Sequence, residues 1–478
     1  MPDFIKYVGF KHLAPTWGFY VSVICWLSVP FFYFAYSNYS FIKNVYKRRS
    51  KLEITSQMNE VVIVVLGDLG HSPRMVYHAK SFAELGYNVN ICGYLESDLP
   101  EFLKSPDYSI HNIPVVKNKR NLPYLIFAFL KVSSQIFDLT SLLVTIIDDN
   151  TRFVVMQNPP SLPVLLIIGL IKKVWSPNTQ LIIDWHNLNW SILNLKYNNE
   201  GHPVVKLMKH YERYCGKMFA DLHLTVTKAL KSYLVDEFGF DENKIVTLYD
   251  RPSSIFSPLE SQEELKQIIS SNSIVFKDLS YNQMTDRIIV TSTSFTPDED
   301  FELFIEALVA LDKILVDSKS KQRIIAIVTG KGPLQRNFMK SLKEHDWKNI
   351  AVKNVWLPIE EYPKILKIAD LGISLHYSSS GLDLPMKIVD LFGSGVPVIT
   401  MNYPVIQELV KNDVNGLILK NNKSSFEMAN TIHKVLFENK KEFVKIKEGA
   451  LLESQKHWDE EWGSKLQNPF AIKNSNRL

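Results

Sequence analysis

A chain of 478 residues exceeds one average domain and is long enough for two hydrophobic cores plus a short anchoring segment. Its 54 Lys and Arg are nearly matched by 50 Asp and Glu, so a net charge of +4 supplies no global field that calls for nucleic acid as a partner. Three scattered cysteines, Cys25, Cys92 and Cys215, give neither metal-ligand spacing nor a disulfide framework and fit a reducing compartment.

The first predicted element is apolar. From Trp17 to Tyr36 the chain carries no Asp, Glu, Lys or Arg, and about 20 such residues suffice to span a bilayer. Trp17, Tyr20, Tyr33 and Tyr36 stand near the two ends, as interfacial aromatics do. The positive charge of Lys43, Lys47, Arg48, Arg49 and Lys51 follows the apolar run, whereas in a cleavable signal peptide it would precede it. The positive-inside rule then predicts residues 1–42 as a lumenal N-terminus and single transmembrane anchor, with everything beyond in the cytosol.

Strand-like runs then alternate with helical patterns in two series. The first reads VVIVVLG (61–67), NVNICGY (88–94), FVVMQNPP (153–160), LIIDWHN (181–187), LHLTVT (222–227) and IVTLYD (245–250). The second reads RIIVTSTSF (287–295), RIIAIVTGKG (323–332), IAVKNVW (350–356), LGISLHYS (371–378) and VPVITM (396–401). Short apolar runs separated by helices imply βαβ units, parallel sheets and an α/β fold of two doubly wound, Rossmann-like domains. The predicted domains are 57–250 and 285–440, joined by a polar stretch from Ser253 to Asp286, with C-terminal helices over 441–478 packing back on the first domain. A second apolar stretch at 122–137 reads either as a helix lying on the membrane surface or as an ordinary buried helix.

Ligands of such sheets bind outside the carboxyl ends of the strands, which directs attention to the loops. In SSSGLDLPMKIVDLFGSGVPVIT (378–400), Ser379, Ser380 and Gly381 form a loop entering a helix, whose bare N–H groups suit a diphosphate. Asp383, Lys387 and Asp390 are spaced to share one face of that helix, giving a candidate sugar-nucleotide clamp. The loop of Ser292 and Ser294, the strand-end His376, the Gly330–Gly332 turn and Arg251 are further candidate donor contacts. The Asp298-Glu-Asp300 triplet opens a helix, where acids are expected from the helix dipole alone, and no metal site is predicted.

In the first half, Gly67-Asp-Leu-Gly-His71 makes a tight turn after a strand, with Ser72 and Pro73 as the N-cap and first residue of the next helix. An imidazole held there suits proton transfer. His71 is the candidate base, with Asp68 and Asp184 as carboxylate rivals. Gly70, His186 and Asn187 supply polar groups and space for an acceptor.

Six segments, VLGDLGHSPRMVYHAKSF, IIDWHNLNW, LYDRP, TSTSFTPDEDF, VTGKGP and SSSGLDLPMKIVDLFGSGVPV, resemble in that order the chitobiosyldiphosphodolichol β-mannosyltransferase family, over roughly residues 17–460. The resemblance implies a two-domain GT-B glycosyltransferase. It would move mannose from GDP-mannose to dolichol-diphosphate-linked chitobiose, by inversion and with a β-1,4 linkage, in N-glycan precursor synthesis at the endoplasmic reticulum membrane. It implies no tightly bound cofactor, and any divalent cation that stimulates turnover would not be ligated by the protein. Other early mannosyltransferases of the pathway, or a second copy of the chain, are the implied protein partners. Retaining enzymes of this architecture often carry two glutamates eight positions apart; here Asp390 matches the second, and Leu382 stands at the first. That departure fits inversion. A catalytically silent membrane-bound paralogue and a lipid glycosyltransferase using a UDP-sugar are the alternatives.

Overall fold

The computed structural model describes residues 58–115, 124–296, 299–319, 321–358 and 360–472, together with 25, 28 and 29. Apart from residues 25, 28 and 29, the predicted anchor lies outside the described residues, as do the basic run at 43–51 and Asp298. Among the described residues no helix is long and apolar enough to cross a membrane. They form two compact units. The first takes the chain up to Thr225, Lys231–Thr247 and the residues from Leu466; the second takes Val226–Leu230 and Leu248–Lys465.

The first unit is built on a seven-stranded parallel sheet. Its strands are β1 (Glu60–Asp68), β2 (Asn88–Tyr94), β3 (Tyr108–Asn112), β4 (Thr151–Asn158), β5 (Gln180–Trp185), β6 (Leu222–Thr225) and β7 (Ile245–Thr247). The order is β3-β2-β1-β4-β5-β6-β7, so the direction of winding reverses between β1 and β4. Val61 to Val65 are wholly buried on both pleats, as a central strand covered by helices on two faces requires. The chain's end closes this unit: the Phe470 ring lies 5.3 Å from that of Phe82 and 4.8 Å from that of Phe153, and the Tyr87 hydroxyl donates to the Phe470 carbonyl at 2.8 Å.

The second unit has a six-stranded parallel sheet of β8 (Asp286–Thr293), β9 (Arg323–Gly330), β10 (Ile350–Val355), β11 (Leu371–Ser374), β12 (Val398–Thr400) and β13 (Gly416–Ile418). Its order, β10-β9-β8-β11-β12-β13, reverses between β8 and β11, which pair through Leu371 with Ile289 and Gly372 with Val290. The stretch expected as a polar linker is part of this unit. It forms the helices Gln262–Ser271 and Ser273–Phe276, and Phe256, Leu265, Ile268, Val275 and Phe276 enter the core beside Ile288 and Val290. The helix Lys440–Ser454 also belongs here, and the chain joins the first unit only from Leu466.

The 122–137 stretch continues into a longer helix, Tyr124–Ile146, which buries Ile136, Leu139 and Leu143 and leaves Phe137 exposed. The helix Val164–Trp175 buries Leu165, Ile168 and Ile171 and turns Leu166 and Val174 outward.

Candidate functional site

In the first unit the turn after β1 carries a histidine with a carboxylate behind it. His71 Nδ1 lies 2.6 Å from Asp68 Oδ2, and the imidazole is 69% exposed while Asp68 is 13% exposed. Asp68 is itself held: its Oδ1 accepts from the backbone N–H of Glu96 at 3.1 Å and of Ser97 at 3.3 Å. Partial burial would raise the Asp68 pKa, but hydrogen bonds from the Ser97 hydroxyl, the Glu96 amide and His71 outweigh it and lower it. An ionised carboxylate only accepts, so neutral His71 carries its proton on Nδ1 and keeps the Nε2 lone pair free. Asp68 is therefore the orienting partner of His71, the arrangement expected of a base that receives a hydroxyl proton.

Gly70 is needed for this turn to close, since a Cβ there would sit 2.8 Å from the Asp98 carbonyl oxygen and from Ser97 Cβ. Pro73 begins the helix Pro73–Glu84, with Ser72 in the N-cap position. The Ser72 hydroxyl donates to the Asp68 carbonyl at 2.9 Å instead of capping the helix, so it braces the turn directly.

Asp184, the other carboxylate expected as a candidate base, lies in a buried ion-paired cluster. It is fully buried at the end of β5, where Arg74 donates from Nε at 2.7 Å and from Nη2 at 2.9 Å, with His78 Nε2 at 3.2 Å and His186 Nε2 at 3.0 Å. Burial alone would raise its pKa; Arg74, then His186 and His78, hold the carboxylate well below its ordinary range. A carboxylate so engaged has no accessible lone pair for a substrate. It also holds His186, which remains 25% exposed. Asn187 is half-buried, its Oδ1 accepting from the Leu188 amide at 2.7 Å. Nearby, buried Glu212 receives Asn158 Nδ2 at 3.0 Å and the N–H groups of Asn189 and Trp190 at 2.9 and 3.0 Å, anchoring the chain that follows.

In the second unit the candidate residues gather at the carboxyl ends of β8, β9 and β11, around the reversal of winding. Glu299, 5% exposed, is the hub. Its Oε2 accepts from the Thr293 hydroxyl at 2.7 Å and the Ser294 amide at 3.1 Å, and its Oε1 is ion-paired with Lys387. Asp300 caps the helix Phe301–Asp317 by accepting from the Leu303 amide at 3.0 Å. Sequence reasoning treated the acidic triplet as capping alone and missed Glu299.

Asp383 does not share a helical face with Lys387. Pro385 is extended (φ −78°, ψ 120°) at the N-cap and the helix runs only from Met386 to Gly393, while Leu384, as the residue before a proline, is disfavoured from extending it toward Asp383. Asp383 instead organises the loop, accepting from the Ser378 hydroxyl and standing 3.5 Å from His376 Nε2 and from Ser380 Oγ. Gly381 takes φ +72° with open space where a Cβ would be.

Lys387 and Asp390 do lie on one turn. The Tyr362 hydroxyl bridges Ser292 Oγ at 2.9 Å and Asp390 Oδ2 at 3.3 Å. Burial, reinforced by Asp250 and opposed by the Tyr362 hydrogen bond, pushes the Asp390 carboxyl up to about 7. Tyr362 carries no local sequence signal and was not foreseen.

Two expected donor contacts are engaged within the unit. A Cβ on Gly330 (φ +147°) would lie 1.8 Å from the Thr293 carbonyl oxygen, and one on Gly332 would lie 1.8 Å from that of Ser294. These glycines let the β9 loop press against the Ser292–Ser294 loop, so they shape it from behind. Arg251 is engaged by Glu461, from Nε at 3.1 Å and Nη2 at 2.8 Å, with Glu453 at 3.9 Å, which commits its charge inside the unit.

Comparison with known proteins agrees with both halves of the chain. The family "Glycosyl transferases group 1" matches residues 277–451. The chitobiosyldiphosphodolichol β-mannosyltransferase of Debaryomyces hansenii is 46% identical over 98% of this chain and 98% of its own length. That of Candida albicans is 46% identical over 99% and 100%, and that of Mus musculus 31% over 85% and 88%. Among solved structures, Anabaena HepE in complex with UDP-glucose superposes with a TM-score of 0.62 at 12% identity, covering 86% of this chain and 100% of its own. WaaG, a glycosyltransferase involved in lipopolysaccharide biosynthesis, gives 0.59 at 13% identity, covering 83% and 95%. At such identities the structures speak for the fold, two Rossmann-like domains of the GT-B type.

Proposed function

The chain belongs to the chitobiosyldiphosphodolichol β-mannosyltransferase family, and from that premise we propose that it transfers mannose from GDP-mannose to chitobiosyl diphosphodolichol, inverting the anomeric centre to form a β-1,4 linkage. The observation that carries the reading is the extent of the similarity, which runs through 98% of the chain and so takes in the His71 turn as well as the 378–395 segment. Residues 1–42 serve as the lumenal N-terminus and membrane anchor, and the two Rossmann-like units work on the cytosolic face of the endoplasmic reticulum.

The acceptor's 4-hydroxyl oxygen bonds to mannose C1 while the bond from C1 to the diphosphate oxygen breaks, and the electron pair leaves with GDP. The hydroxyl proton passes to His71 Nε2, and Asp68, at 2.6 Å from Nδ1, stabilises the imidazolium that forms. Negative charge growing on the diphosphate is met by Lys387 and by the N–H groups of residues 378–381. Lys387 is held in readiness by Glu299, and Asp390 with Tyr362 takes the ribose hydroxyls. His186, steadied by Asp184, contacts the acceptor sugar.

The test is a donor panel. The purified full chain is given GDP-mannose, UDP-GlcNAc or UDP-glucose with a chitobiosyl diphosphate lipid. Transfer from GDP-mannose alone, with product cleaved by a β-mannosidase, is the expected result. Turnover of a UDP-sugar would move the chain to another lipid glycosyltransferase class, and no turnover with any donor would favour a silent scaffold.

A further inference from the structure

The outer surface of the helical hairpin of Asn189–Tyr197 and Pro203–Phe219 plays no part in the site described above, yet it is unusual for a solvated face. Ile192 is 42% exposed, Leu195 62%, Tyr214 68% and Met218 44%. Four large apolar side chains exposed on the two helices of one hairpin mark a surface that something else covers. The same two helices carry Lys196, Lys206, Lys209, Arg213 and Lys217. Their acidic counterparts within the hairpin are Glu200, which is exposed, and Glu212, which is buried and bound to backbone N–H groups. Glu237 reaches Lys209 at 3.7 Å from outside the hairpin. The excess of cation is therefore outward and local, although the whole chain is nearly neutral.

A cavity of about 490 Å³ opens in the hairpin, lined by Trp190, Lys206, Lys209, His210 and Arg213, with Glu200 and Glu237 also at its wall. Lys209 sits 4.9 Å over the Trp190 ring, so an aromatic floor and a cationic rim meet in one recess. Protruding aliphatic and tyrosyl side chains beside a cationic recess match an interface whose outer layer is anionic and whose inner layer is hydrocarbon.

We infer that this hairpin docks on the anionic surface of a phospholipid bilayer, with Ile192, Leu195, Tyr214 and Met218 entering the headgroup–acyl boundary and a lipid phosphate seated in the Trp190–Arg213 recess. The contact holds the first unit against the lipid surface independently of the N-terminal anchor. Its basis is surface chemistry alone. Transfer assayed in detergent tests the proposed reaction separately, so either reading can fail while the other stands.

The experiment uses the full chain in a Cys25→Ser background, since Cys92 and Cys215 are buried and Cys25 is exposed. A fluorophore is placed at Leu195→Cys or Tyr214→Cys and, for reference, at Phe426→Cys, an exposed apolar position on the second unit. Each protein is reconstituted in vesicles of phosphatidylcholine alone or mixed with phosphatidylinositol, and collisional quenching by spin-labelled lipid is read. Quenching at 195 and 214 but not at 426, strengthened by phosphatidylinositol and reversed by high salt, is expected. K196E/K206E/K217E should reduce it by at least about tenfold, since each cation near an anionic surface contributes separately, and should leave transfer in detergent unchanged. Equal quenching at all three positions overturns the inference. So does quenching indifferent to phosphatidylinositol and salt, a result that stands even if the charge-reversed variant fails to fold.

Discussion

Asp184→Asn separates a positioning role from a catalytic one. The carboxylate is fully buried and accepts two hydrogen bonds from Arg74, at 2.7 and 2.9 Å, and stands 3.2 and 3.0 Å from His78 and His186. An amide offers Arg74 one acceptor oxygen and no charge, and Arg74 is itself only 3% exposed. Leaving a buried cation without its partner costs about 3–5 kcal/mol. At roughly 2–4 °C per kcal/mol for a domain of 150–250 residues, the thermal midpoint should fall by roughly 6–20 °C. The depressed folded pKa means this stability is present above the ordinary carboxylate range and is lost as pH falls toward the folded value. The variant should therefore be less pH-sensitive than the parent in acid. A detergent-solubilised thermal scan measures the shift, and kcat is taken per folded molecule well below the midpoint. Arg74→Met/Asp184→Leu, which removes both charges, should be more stable than Asp184→Asn alone. A variant that kept its midpoint while kcat dropped by 10² or more, the loss typical of a missing base, would restore Asp184 as a proton acceptor and refute the positioning argument.

Asp68→Asn should lower kcat by about 10–10²-fold, less than loss of the base itself, with donor KM unchanged and partial recovery in Asp68→Glu; a rise in KM instead would detach Asp68 from His71. Lys387→Ala should reduce kcat more than it raises donor KM, because its charge matters most as the diphosphate departs; the reverse split would make it a ground-state contact. Asp390 accepts ribose hydroxyls best when ionised, and its pKa is pushed up to about 7, so donor KM should rise as pH falls below about 7 and should lose that dependence in Asp390→Asn. Gly332→Ala places a Cβ 1.8 Å from a backbone oxygen, and displacement of the Ser292–Ser294 loop should appear as weaker donor binding in a GDP titration; unchanged binding would separate that loop from the nucleotide.

The central strands are readable in the sequence because burial on both faces demands unbroken runs such as VVIVV and RIIAIV, and loops at their ends follow from the sheet's handedness. The edge strands divide: β7 and β10 still show as IVTLYD and IAVKNVW, whereas YSIHN of β3 is largely half-exposed and GLI of β13 is three residues long, so neither of these shows a run. The His71 turn was readable for a local reason: glycine, proline and the polar groups they position lie within seven residues. The partners of the other candidates lie far off in the chain. Glu299 meets Lys387 across 88 positions and Arg74 meets Asp184 across 110, and no periodicity encodes such a pairing. Arg251 shows the same limit from the other side, as its carboxylate partner Glu461 is 210 positions away. At Asp383 the limit is local, because residue spacing alone does not show that the backbone is extended at Pro385 and breaks the helical face there.

The measurement that bears most directly on the proposed chemistry is single-turnover transfer from GDP-mannose by His71→Gln, with donor binding measured in parallel. Glutamine keeps hydrogen-bonding capacity but cannot take a proton, so the rate should fall by about 10²–10⁴-fold with donor affinity unchanged. A rate within about tenfold of the parent, short of the loss expected for a base, would contradict the assignment of proton transfer to His71.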